Sequence, residues 1–155
     1  MEPPAFRHGE IQTSRLAELL ALAWCRDASA DPNKWTAENP AWGQCAVTAL
    51  LVQDTLGGEL VVTPVKLPGG VWASHYLNQL PSGEYLDLTR QQFPADALFS
   101  SEPPAPRTQG FSSTREYVLS VWATRERYEA LTVRFEAFER ALQRNARMGP
   151  SWPHR

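Results

Sequence analysis

The spacing of apolar residues changes twice along the chain, which divides it into a helical start, a strand-rich middle and a helical end. Over 13–26, Leu16, Leu19, Leu20, Ala23 and Trp24 recur at i, i+3, i+4 spacing behind Thr13 or Ser14, either of which can cap a helix. Residues 27–35 are polar and turn around Pro32, and 39–43 (NPAWG) form a second tight segment. From Gln44 the run CAVTALLVQDTL meets no breaker before Gly57 and Gly58, so it predicts a helix that stops there. Ala46, Ala49 and Leu50 trace one of its faces and Val47 and Leu51 another, the pattern of a helix buried on several sides.

Alternation then replaces the helical period. Residues 59–65 (ELVVTPV) are β-branched, 71–80 (VWASHYLNQL) are aromatic and half alternating, and 84–89 (EYLDLT) alternate again after the turn Pro81-Ser82-Gly83. These three segments predict an antiparallel meander. Residues 94–110 carry Pro94, Pro103, Pro104 and Pro106 and read as an irregular loop. A short helix is expected over 114–120. A long one follows, capped by Thr124, with Tyr128, Leu131, Phe135, Phe138 and Leu142 as its apolar stripe. The expected fold class is therefore α+β, an antiparallel sheet of at least three strands packed against helices. One globular domain over 13–147 is expected, flanked by loosely ordered arms at 1–12 and 148–155.

Composition narrows the function classes. The chain has 155 residues, 43% of them hydrophobic and 21% charged, enough for one packed core. Fifteen Lys and Arg against seventeen Asp and Glu give a net charge of -2, which argues against a nucleic-acid or membrane-surface partner. The apolar run 16–24 is short of the roughly 20 residues that a membrane span needs and contains Glu18. Its end, ALAWC, has Trp24 where a lipoprotein cleavage site needs a small residue. The expected location is cytoplasmic, with Cys25 and Cys45 as reduced thiols.

Three residues can carry chemistry. Cys45 opens the central helix, where the dipole and unpaired backbone N–H groups favour a thiolate. His75 lies within the second strand and is the only structured histidine expected, since His8 and His154 fall in the arms. Asp87 lies in the third strand. A histidine beside the thiol can shuttle a proton, and a carboxylate beside the histidine can orient it. Gln44 could offer its amide to an oxyanion alongside the Cys45 backbone N–H. The turn decides whether the set can meet. If 81–83 form the whole turn, Leu80 pairs with Glu84 and Leu77 with Asp87, and Asp87 is diagonal to His75 on one face. If Leu80 pairs with Tyr85, Asp87 points to the other face. Trp42, Trp72, Asn78 and Arg90 are candidate substrate-binding residues, the tryptophans as an apolar wall and Arg90 as a carboxylate or phosphate ligand or the partner of an acid. Cys25 reads as a packing residue. Two cysteines and one structured histidine do not make a zinc set, and no phosphate-binding glycine motif is present, so neither metal nor cofactor is expected.

The pieces GQCAVTAL, SHYLN and DLTRQQF, set within 33–132, resemble the YunG-like family of small uncharacterised bacterial proteins. More broadly, a cysteine at a helix start followed by a histidine and an aspartate on successive strands is similar to the papain-like superfamily in its transglutaminase-like form. That likeness implies Cys45 as nucleophile, His75 as base and Asp87 as orienting carboxylate. Gln44 departs from the superfamily pattern, in which the oxyanion glutamine lies several residues before the cysteine. The function expected first is thiol-dependent acyl transfer (amide hydrolysis, deamidation or transamidation) on an amide or peptide-like substrate. A non-catalytic module that binds a protein partner on the same fold, and a redox-sensing thiol, are the alternatives.

Overall fold

A computed structural model describes residues 8–149. Helix α1 spans His8–Ala23, α2 Cys45–Leu56, α3 Thr114–Leu119 and α4 Trp122–Met148. Strands β1 (Glu59–Lys66), β2 (Trp72–Gln79), β3 (Tyr85–Leu86) and β4 (Leu98–Phe99) form one antiparallel sheet in the order β3-β2-β1-β4. The architecture is α+β, as the change of period predicts.

Helix α2 is the centre of the molecule. It packs on β2 on one side and on α4 on another, and residues 47–52 are all buried. Leu16, Leu19, Leu20 and Ala23 of α1 meet Val47, Leu51 and Val52 of α2 and Leu131 and Phe135 of α4 in the main core. Ala49 and Leu50 face the other way, onto Leu60 of β1 and Val118 of α3. The two apolar faces of α2 thus serve two cores. The buried Trp24 indole N–H donates to Thr48 Oγ1 at 2.9 Å and ties the end of the α1 segment to α2.

Several boundaries differ from the sequence reading. Helix α1 begins at His8, so 8–12, expected in the N-terminal arm, are helical; 1–7 and 150–155 lie outside the described residues. The cap of α4 is Val121, not Thr124. Thr124 is buried in the first turn, where its hydroxyl accepts from Arg127 at 3.2 Å. Strand β3 is only two residues long, because the chain leaves the sheet at Asp87. The proline-rich loop supplies a fourth strand. Leu98–Phe99 pairs with Val65 and Lys66 on the edge of β1, and Ala105 bridges to Val62 further along it. The prolines keep this edge strand short, and the loop covers what would otherwise be an unpaired sheet edge.

Candidate active site

The β2–β3 register controls the site. Asn78 pairs with Leu86 and Gln79 with Tyr85, and Leu80 N–H donates to the Glu84 carbonyl at 2.8 Å. This is the three-residue-turn register. It places Asp87 diagonal to His75 on the same face, and the two side chains meet with His75 Nε2 at 2.8 Å from Asp87 Oδ2. The carboxylate, an acceptor when ionised, fixes the proton of a neutral imidazole on Nε2. Nδ1 is buried and makes no hydrogen bond among the described residues.

His75 is fully buried. The rings of Phe93 and Phe99 stand edge-on to it, with centroids at 4.9 and 6.1 Å. Burial by itself would lower the His75 pKa. The bond to Asp87, the nearby Cys45 thiol and the charges of both groups outweigh burial and raise it from 6.5 to about 9. No geometrically complete hydrogen bond joins ring and sulfur, yet Cys45 is near enough to favour the imidazolium. Nδ1, the nitrogen that Asp87 does not use, is the one left for the thiol.

Cys45 is the first residue of α2 and is partly exposed. The start of the helix leaves its backbone N–H without an intrahelical acceptor. Its side chain lines a cavity of about 320 Å³. Trp42, Gly43 and Ala46 continue that wall, Ser74, Tyr76 and Phe93 form the sheet side, and Tyr117, Val121 and Arg127 come from the C-terminal helices.

The structure brings together Cys45, His75, Asp87 and Trp42 and separates the other candidates from them. Gln44 is fully buried, and its amide nitrogen donates to the carbonyls of Cys25 (2.6 Å) and Pro40 (3.1 Å). Both N–H groups are committed to holding the chain before α2, which leaves neither for an oxyanion; its Oε1 is buried with no hydrogen-bond partner among the described residues. Asn78 is also structural, because its side chain is buried and donates to the Ala49 carbonyl of α2 at 2.9 Å. Trp72 is 60% exposed, stands beside the Lys66 ammonium and lies outside the cavity wall. Arg90 neither lines the cavity nor pairs with an acid among the described residues. Its guanidinium lies 3.7 Å from the Phe99 ring centroid, as a lid on the aromatic cluster around His75. Trp35 is a packing residue whose indole N–H donates to the Pro40 carbonyl at 2.9 Å.

Other residues of the site escape a reading by motif. Gln92 is buried against the cavity, accepts from Gly43 N–H at 3.1 Å and donates to the Thr89 carbonyl at 3.0 Å. It braces the turn that carries Trp42 and Gly43 against the segment that carries Phe93. Arg127 looks in sequence like one more charge on a polar helix face, yet it lines the cavity. Cys25 packs against the main core, as expected.

Among the described residues no cluster of three or more His, Cys, Asp or Glu is placed to hold a metal ion. No helix among them is long and apolar enough to cross a membrane.

Comparison with known proteins agrees with the sequence resemblance at the level of family. The profile described as YunG protein matches residues 12–139. The uncharacterised protein YunG of Bacillus subtilis (strain 168) is 35% identical over 124 residues, which cover 80% of this chain and 89% of that protein. No solved structure matches the chain at a significant level.

Proposed function

The chain belongs to the YunG family, and we propose that it is a thiol-dependent acyl-transfer enzyme on a papain-like core, with Cys45 as nucleophile, His75 as proton shuttle and Asp87 as the carboxylate that orients His75. The observation that carries this reading is the polarity of His75. Its Nε2 is tied to Asp87, and its Nδ1 is kept dry, without a hydrogen bond among the described residues, and near a thiol that opens onto a cavity. A histidine that only filled a core would be expected to spend both nitrogens.

The steps follow from that polarity. With the thiol proton held on Nδ1 of the imidazolium, the Cys45 thiolate attacks the carbonyl carbon of an amide. An S–C bond forms and the carbonyl electron pair moves onto oxygen, which the Cys45 backbone N–H at the helix start can bind. The tetrahedral centre collapses, the C–N bond breaks, and Nδ1–H protonates the leaving amine. A thioester remains. Water or a second amine then loses a proton to Nδ1, attacks the thioester carbon and releases the sulfur. Water as the acceptor gives hydrolysis or deamidation, and an amine gives transamidation. Throughout, Asp87 holds the ring in one tautomer and stabilises the imidazolium.

The test is intact-protein mass spectrometry with a panel of activated aryl esters and anilides as acyl donors. The expected result is a mass gain at Cys45 equal to the acyl group, abolished by Cys45→Ser and slowed about 100-fold or more by His75→Ala. No acyl adduct with any donor, in a protein shown to be folded, would refute the proposal and leave the cavity as the binding site of a partner.

A further inference from the structure

The proposed chemistry uses the Cys45 wall of the cavity; the facing helices contribute a charge with no assigned task. Arg127 lines the cavity from α4, and the one hydrogen bond described for it goes to Thr124 Oγ1 at 3.2 Å. No carboxylate lies within 4 Å of it among the described residues. Most of its five donors therefore have no protein acceptor among the described residues, although the group is partly withdrawn from water. Burial pulls its pKa below the ordinary arginine value, and the charge of Cys45 opposes that shift, which puts guanidinium and sulfur within electrostatic reach of each other. Asp31 also lines the cavity, but its carboxylate is held by the Trp42 indole N–H at 3.3 Å. A second cation sits by the same wall: Arg107 donates to Ser74 Oγ at 2.8 Å, beside Tyr76.

Resting on the acyl-transfer reading, we infer that Arg127 is a specificity residue that binds a carboxylate on the acyl portion of the substrate, so that the substrate is a small anionic amide. A guanidinium with free, forked donors matches a carboxylate in geometry and charge. Val47, Leu67, Ala73, Phe93, Val118 and Val121 give the lining an apolar part that would enclose a short carbon chain between that carboxylate and the scissile carbonyl. A cavity of about 320 Å³ is at the small end for ligand pockets and suits a compact acyl group, not an extended peptide.

Two alkylating agents of nearly equal size test this. Iodoacetate and iodoacetamide both place carbon on the Cys45 sulfur, with formation of an S–C bond and loss of iodide, and differ in one negative charge. Rates are read at Cys45 by peptide mass spectrometry in wild type, Arg127→Gln and Arg127→Lys. The iodoacetate-to-iodoacetamide rate ratio should fall about tenfold in Arg127→Gln and stay within about threefold of wild type in Arg127→Lys. An unchanged ratio in Arg127→Gln, with Cys45 still alkylated, would overturn the assignment of Arg127 and leave the nucleophile in place. Failure of both reagents to label Cys45 in the folded wild type would overturn the acyl-transfer reading and this inference with it.

Discussion

The raised pKa of His75 makes the stability of the fold depend on pH in a direction that can be worked out. In the unfolded chain the imidazole titrates near 6.5; in the folded protein it holds its proton to about 9. The folded state therefore binds the proton more tightly, and protonation favours folding. This contribution is present in full below pH 6.5 and is lost as pH rises through 9. A shift from 6.5 to about 9 corresponds to about 3 kcal/mol, lost at roughly 1.4 kcal/mol per pH unit within the window. The assay is urea unfolding followed by circular dichroism at pH 6, 7, 8, 9 and 10. Wild type should lose about 3 kcal/mol between pH 6 and 10, with most of the loss between 6.5 and 9. Asp87→Asn removes the carboxylate charge beside Nε2, so its loss should be smaller and should fall nearer pH 6.5. His75→Gln, if it folds, should be flat through the window apart from the thiol background. A wild-type loss below about 1 kcal/mol, or equal losses in wild type and Asp87→Asn, would refute the coupling of His75 to its carboxylate.

Two further predictions concern the supports of the site. Gly43→Ala should cost about 2 kcal/mol or more, read as a lowered thermal midpoint, because its backbone has φ +71° and a Cβ there would sit 2.4 Å from Ser29 Oγ and 2.9 Å from Ala30 N; an unchanged midpoint would show that the turn before α2 yields freely. Gln44→Ala and Asn78→Ala should each lower stability by about 1–3 kcal/mol in urea, since each strips a buried donor from carbonyls of Cys25, Pro40 or Ala49; a Gln44→Ala protein as stable as wild type would show that its hydrogen bonds do not hold the chain before α2.

How much of this was legible in the sequence differs between the chemistry and its surroundings. Cys45, His75 and Asp87 could be found because each depends on a local pattern. The apolar run ended by Gly57 and Gly58 puts Cys45 at a helix start. The three-residue turn at 81–83 decides the face on which Asp87 lies, and the observed pairing of Asn78 with Leu86 is the register that turn requires. What could not be found depends on direction or on distant partners. Adjacency to Cys45 made Gln44 look like an oxyanion donor, but neighbours in sequence at a helix start need not point the same way, and Gln44 turns back to the Cys25 carbonyl. Asn78 and Arg90 carry the right groups, yet the helix beneath the sheet and the Phe99 ring claim them. Phe99 itself lay in a proline-rich stretch whose two-residue strand exists only because β1 offers an edge to pair with.

Arg127 is the sharpest case of the second kind. Next to Tyr128 on a charged helix it has no periodic signature, and only the placement of α3 and α4 against the cavity brings it to the cavity wall. The catalytic candidates thus come from 45–87, one stretch of chain organised by local rules, while the facing wall comes from residues 117–127 and is assembled by tertiary packing. This division has a physical consequence. The proposed reacting groups lie on α2, on β2 and just after β3, and among the described residues the hydrogen bond of the His75–Asp87 pair involves no residue of α4, so on the proposed reading changes along 117–127 alter which acyl group enters without moving that pair. Substitution at Arg127 should then shift selectivity between charged and neutral reagents and leave the pH dependence of stability set by His75 intact. Substitution at Asp87 should do the reverse.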